Sequence, residues 1–185
     1  PAPVPALTLP ELPLAELRRF FADPVAAFIR GRLEARVGED PRPVADDIPV
    51  SLTPLQSWKV GDRLLARERG GRLDESFLAD ELLRGELPPA ALGREHLADL
   101  SGRVAELAQA AAPYCAEPAR TEQISVLIGG TRVAGSVRHV YGHRIVRVSY
   151  SRLAATHRFS AWIDLLALAL QDPNRDWAAV IIGRD

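Results

Sequence analysis

The chain has 185 residues, 47% of them hydrophobic, and a formal charge of -1, which fits one globular domain or one domain with a helical appendage. Its single cysteine, Cys115, excludes an internal disulfide framework and any cysteine-rich zinc or iron–sulfur site, and makes a reducing cytoplasm the default expectation. No apolar run reaches transmembrane length, because the longest, at 162–170, is interrupted by Asp164, and the N-terminus has neither the basic flank nor the apolar core of a signal peptide.

In chain order, PAPVPALTLP is Pro-rich and reads as a linker over residues 1–10. A helical region follows over 11–93. Asp23-Pro24 supplies an N-cap and a first-turn proline for a helix through PVAAFIRGRLEARV that stops at Gly38. Residues 38–51, rich in proline and carrying Asp46-Asp47, read as a loop. Thr53-Pro54 opens a second helix that ends at Gly70-Gly71, and Asp74 caps a third, DESFLADELLRG. A longer helix near 94–112 carries Leu97, Leu100, Val104 and Leu107 on one face and ends at Pro113.

The hydrophobic period then changes. QISVLIGG, TRVAGSVRHV and HRIVRVSY read as three strands, with turns at Gly129-Gly130 and Tyr141-Gly142, which predicts an antiparallel meander. FSAWIDLLALALQD is an amphipathic helix with Ser160 as its candidate cap, and AAVIIG is a final strand. A strand reached through a helix pairs parallel by crossover. The expectation is an α+β fold: a helical extension, then a core over 94–185 of helix, three strands, helix and strand, truncated at its C-terminus. The chain has no methionine, which predicts a processed chain or a fragment of a longer one.

Charge is segregated along this order. Between Glu122 and Asp164 there is no carboxylate, while the same stretch holds Arg132, Arg138, Arg144, Arg147, Arg152, Arg158 and the histidines His139, His143 and His157. Lys59 is the only lysine, a bias that GC-rich codons explain, but arginine forks also bind phosphate bidentately and stack on bases. Strands without acids cannot converge carboxylates on a divalent cation, and the helical acids sit beside arginines at solvent-face spacing. His139 and His143 flank a turn, but a third ligand is missing and Arg138 and Arg144 repel a cation there. Cys115 has no histidine near in sequence, and Ser136, Ser149 and Ser151 lack an orienting acid. Gly129-Gly130 lacks the residues of a phosphate loop. Binding remains: Arg132, Arg138, Arg144, Arg147 and Arg152, interleaved with Tyr141 and Tyr150, suit phosphates and bases, or equally a protein interface.

The order of elements from residue 94 resembles that of the PD-(D/E)xK nuclease core. LTLPEL followed by RRFFADPVAAFIRGRL, then VSLTPLQSWKVGDRLL, RGELPPAALG and VRVSYSRLAATHRFSAWIDLLAL, resemble in the same order blocks of the C-terminal region of the RecC family, the gamma subunits of exodeoxyribonuclease V. The resemblance spans nearly the whole chain. Active nucleases of this fold carry "G-x-[IV]-D" on the second strand, which here reads Gly135-Ser136-Val137-Arg138. The "[DE]-x-K" of the third strand matches Arg147-Val148-Ser149, so arginines stand for the acids and a serine for the lysine.

The resemblance implies a catalytically inactive, nuclease-like domain of a three-subunit helicase–nuclease that processes double-strand ends for recombinational repair. RecB and RecD subunits, double-stranded DNA ends and unwound single strands are the implied partners, with no cofactor, no metal, no membrane and a cytoplasmic location. ATP hydrolysis and DNA cleavage would lie in the partner chains, with this domain helping to split the duplex and guide its strands. The DNA-binding candidates are Arg132, Arg138, His139, Tyr141, His143, Arg144, Arg147 and Arg152. Two alternatives stand beside this reading. One is an active metal-dependent nuclease with relocated ligands, for which Glu95 and Asp99 are the test positions. The other is a pure protein-docking module.

Overall fold

A computed structural model describes residues 9–33, 51–71 and 73–184. Most of the predicted linker and, apart from Ser51, the loop at 38–51 lie outside these residues, while the helix expected to run on to Gly38 ends at Arg32. Among the described residues the fold is α+β, with six α-helices and a mixed five-stranded sheet. The chain divides into two compact units.

The first unit comprises the described residues of Pro1–Val37 together with Cys115–Arg147 and Ala154–Ile181. Its sheet is built on a long strand, β3 (Thr131–Tyr141). One edge of β3 pairs antiparallel with β2 (Arg120–Ile128). Gly129 and Gly130 join the two with φ of 56° and 86°, the doubly positive conformation that a two-residue hairpin turn demands. The other edge is shared. A three-residue strand, β1 (Glu11–Pro13), pairs parallel with its first half, and β4 (Arg144–Arg152) pairs antiparallel with its end. The sequence reading took β1 as part of a helical region. It is instead an edge strand, held by the Pro10 carbonyl accepting from Arg132 N and the Leu9 carbonyl accepting from the Thr131 hydroxyl.

Two short helices follow β1: α1 (Leu14–Ala22) and α2 (Pro24–Arg32). Asp23 caps α2 as expected, its carboxylate accepting from Ala26 N at 2.9 Å. Leu14, at the start of α1, is buried against β3. A Cβ on Gly135 would lie 2.8 Å from that of Leu14, so the strand needs a glycine where the helix lands. The second face-covering helix, α6 (Ala155–Gln171), buries Ala161, Ile163, Ala167 and Leu168 with Val133, Val137, Val140 and Ile145. Ser160 is not its cap. The helix begins five residues earlier, at Ala155, where His157 Nδ1 accepts from Ala154 N at 3.1 Å. The side-chain amide of Gln171 then bonds the outer backbone of β2 at Gln123 and Ser125, covering an otherwise open sheet edge.

After α6 the chain returns as β5 (Ala178–Arg184), beside β4. Ala178 N donates to the His143 carbonyl, and Gly183 packs on the Ser151 carbonyl, so the contacts climb together and the strands run parallel. The crossover expectation therefore holds.

The second unit joins the described residues of Gly38–Tyr114 to Val148–Leu153 and the end of β5. It contains α3 (Pro54–Gly70), α4 (Glu75–Leu83) and α5 (Ala90–Ala111). Thr53 and Gln56 cap α3 reciprocally, and Asp74 caps α4 through Phe77 N. α5 starts four residues before its expected position and relaxes into a 3-10 turn at Ala112–Tyr114 around Pro113. Val60, Leu64, Leu97, Leu100, Val104 and Tyr150 form the core here. The Tyr150 ring occupies the space that a Cβ on Gly61 would fill. Glu81, 1% exposed, is clamped by Arg63 and Arg84. The hydrogen bond to Glu81 holds Arg63 above its ordinary pKa against the opposing cost of burial.

Candidate nucleic-acid interface

The basic residues of the β3–β4 region do not form one continuous patch, and strand parity explains why. Val133, Val137 and Val140 face the core under α6. Arg132 and Arg138 are exposed on the other parity of β3. Opposite β2, the register passes from Arg120–Val140 to Glu122–Val137, so β3 carries one residue more than its partner. This bulge lies at Arg138-His139. His139 has φ of 59°, a left-handed conformation that costs a non-glycine residue about 1 kcal/mol or more. As a result two consecutive residues, Arg138 and His139, are exposed between two buried valines.

At the hairpin tip, Gly142 takes φ of 58° and makes the tight turn. Arg144 leaves it exposed, with Tyr141 opposite and half-buried. His143 is half-buried in the turn, and its carbonyl is engaged by β5. Arg152, at the exposed end of β4, belongs to the second unit. Ser149, which the sequence pattern would match to a nuclease lysine, accepts from Ser151 N at 3.2 Å.

Arg147 points the other way. Its Nη1 donates to Ser160 Oγ at 2.7 Å, and its Nη2 pairs with Asp164 Oδ2 on α6. The other oxygen of Asp164 accepts from Arg18 Nε of α1 at 2.5 Å, and Arg18 Nη2 also donates to the Ser136 carbonyl on β3. Asp164 is fully buried, while Arg18 and Arg147 are 22% and 31% exposed. One carboxylate thus joins α1, β3, β4 and α6, with both oxygens occupied by guanidinium groups. Two arginines and one aspartate leave one surplus positive charge beneath the sheet.

The sequence reading found Arg147 but not its partners. Asp164 was readable in principle. It is an acid within a helix whose neighbours at 161, 163, 167 and 168 are buried, and a charge in such a stripe must be paired. Nothing in the sequence singles out Arg18. Among the described residues no group of three or more His, Cys, Asp or Glu side chains could hold a metal, and Glu95 and Asp99 are both exposed on α5. No described helix is long and apolar enough to cross a membrane.

The family model of the RecC C-terminal domain matches residues 10–183. The chain belongs to the RecC C-terminal domain family. It is 38% identical over 182 residues to the RecBCD enzyme subunit RecC of Mycobacterium tuberculosis (strain H37Rv), covering 98% of this chain and 16% of that protein. The Mycolicibacterium smegmatis RecC subunit is also 38% identical, over 183 residues, with 98% and 17% covered. The Escherichia coli K12 subunit is 27% identical over 178 residues, with 93% and 15% covered. The chain therefore spans roughly a sixth of the length of these relatives, and the resemblance read from the motif blocks is that of its family.

Proposed function

We propose that this RecC C-terminal domain is a non-catalytic, restriction-endonuclease-like module that contacts DNA and docks its partner subunits in a RecBCD-type helicase–nuclease. Double-strand-break repair by homologous recombination is the process this serves, in the cytoplasm and without a bound cofactor. The observation that carries the reading is the Arg18–Asp164–Arg147 cluster. In a nuclease of this fold the sheet presents acids to a divalent metal. Here the acid nearest β4 has both oxygens taken by arginines, one of which stands on the acid position of the degenerate motif. An ammonium or guanidinium held at that point opposes a second cation by Coulomb repulsion.

DNA contact is assigned first to Arg138 and Arg144, with Arg132, His139, Tyr141 and His143 around them. The bulge exposes Arg138 and His139 together, and Arg144 is exposed beside the hairpin tip, where the Glu117 carboxylate lies against Gly142. Arg147 acts through the ion cluster, and Arg152 lies in the second unit. Replacing Arg132, Arg138 and Arg144 with alanine should lower the slope of log affinity against log salt. The drop should reach up to about 0.9 for each phosphate no longer neutralised on duplex, or about 0.7 on single strands. An unchanged slope refutes the assignment.

A docking role for the same domain has its own support. On α6, Phe159, Trp162, Leu166 and Leu170 are exposed at helical spacing, and Phe20, Phe21, Val25 and Phe28 are exposed on α1 and α2. Phe21 meets Phe159 with ring centroids 6.4 Å apart. Apolar surface of this kind marks contact with protein, and RecB and RecD are the proposed occupants. End-labelled DNA incubated with the chain and Mg²⁺ or Mn²⁺ separates these readings from a working nuclease. Cleavage that disappears on Glu95→Ala or Asp99→Ala overturns the non-catalytic reading.

A further inference from the structure

In the second unit, α5, the end of β4 and the end of β5 enclose a cleft of about 480 Å³. Among the described residues, three guanidinium groups line it, Arg103, Arg152 and Arg184, with one acid, Glu106, and with Leu107 and Ile182 as an apolar wall. We propose that this cleft is a phosphate-binding site, separate from the β3–β4 hairpin. Where the phosphate belongs to a DNA strand the inference rests on the DNA-binding reading; where it is a free phosphate it does not.

The site is built rather than incidental. Gly183 lets β5 close onto β4, because a Cβ there would lie 2.7 Å from the Ser151 carbonyl and 2.6 Å from Leu153 Cδ2. That approach brings Arg184 next to the buried Tyr150, and the guanidinium stacks over the ring at 4.6 Å. Tyr150 is itself seated in the notch that Gly61 leaves in α3. The Arg184 fork is therefore oriented by a ring that cannot move without disturbing the helix below it. Its Nε is buried without a hydrogen-bond partner among the described residues. A guanidinium held in one orientation beside a second arginine on a helix is an arrangement whose outer N–H groups can meet the oxygens of a tetrahedral oxyanion. The like charges of Arg103 and Arg184 at one cleft repel until an anion sits between them. Arginine rather than lysine suits a fixed fork that meets two oxygens at once.

The test uses the full-length protein, with inorganic phosphate followed by ³¹P line broadening and a short fluorescent oligothymidylate followed by anisotropy. Saturable phosphate binding that weakens about tenfold or more in Arg103→Ala supports the site. Arg103 is exposed on α5, so this variant should keep its helical signal. Arg184→Gln is the second variant, and should lose phosphate binding as well. If phosphate competes with the oligothymidylate and Arg103→Ala weakens both, the anion is a strand phosphate. If phosphate binds without competition, the source is a free phosphate. If phosphate binds but no oligothymidylate does, the DNA reading falls and the site stands. Phosphate binding that is absent from the parent protein, or equal in the parent and in Arg103→Ala, overturns the inference.

Discussion

Replacing Asp164 with alanine removes the one group that, among the described residues, Arg18 and Arg147 both hold. Two guanidinium groups would then face each other beneath the sheet, with Ser160 Oγ and the Ser136 carbonyl as their remaining acceptors. Breaking a buried ion pair from one side costs about 3–5 kcal/mol, because a charge is left without compensation. Arg18 and Arg147 are 22% and 31% exposed, so water can reach them, and about 3 kcal/mol is the expected loss. With a urea m-value of about 1–3 kcal/mol per molar, the first unit's unfolding midpoint should fall by roughly 1–3 M. Asp164→Asn keeps the shape but not the charge and should recover little. The combined change Asp164→Leu with Arg147→Met should cost well below the sum of the single changes, since it removes charges together. A loss under about 1 kcal/mol for Asp164→Ala refutes the reasoning, because a cluster that dispensable would not hold Arg147 under the sheet.

Two mid-helix glycines should respond with opposite sign to alanine. Gly61→Ala drives a methyl into the Tyr150 ring, and thermal unfolding should register a net loss of about 2 kcal/mol despite the helix-propensity gain. Gly102→Ala meets nothing within 4 Å on α5, and should gain about 1 kcal/mol. Tyr150→Phe removes a buried hydroxyl without a hydrogen-bond partner among the described residues, and chemical denaturation should find it neutral or stabilising by up to about 1 kcal/mol. The Asp74 carboxyl is held below its ordinary 3.8, first by the Phe77 amide and then by Arg67. Its contribution is present above that ordinary value and lost as pH falls through the lower folded one. The difference in melting temperature between the parent and Asp74→Asn should therefore shrink on acidification below the ordinary value, and a constant difference would count against this linkage.

Local signals were legible where they acted locally. Asp23, Thr53 and Asp74 each cap the helix they precede, and paired positive-φ glycines at 129 and 130 make the hairpin that their sequence advertises. The change of hydrophobic period, read from Gln123, separated helices from strands although β2 begins at Arg120, and the helix between the last two strands gave the crossover. What escaped depends on contacts distant in sequence. Glu11–Pro13 becomes a strand only because β3 has half an edge to offer. The charge census placed six arginines in an acid-free segment, but a census counts residues along the chain and not across the sheet. Asp164, 17 residues beyond Arg147, supplies the missing acid from a helix. The bulge at Arg138-His139 is set by register against β2, and no dipeptide preference announces it.

Gly135 has a consequence for how such chains are recognised. In the nuclease pattern it is the small residue that precedes the catalytic acid, and a match through it invites a catalytic interpretation. In this chain Leu14 bears down on it, so selection for the N-terminal segment's docking would keep that residue small whether or not any bond is ever cut nearby. A glycine kept by such a contact reports how the N-terminal segment packs and carries no information about chemistry. Searches for lost or living nucleases among such domains should weigh the acid and the lysine, and give the glycine no vote.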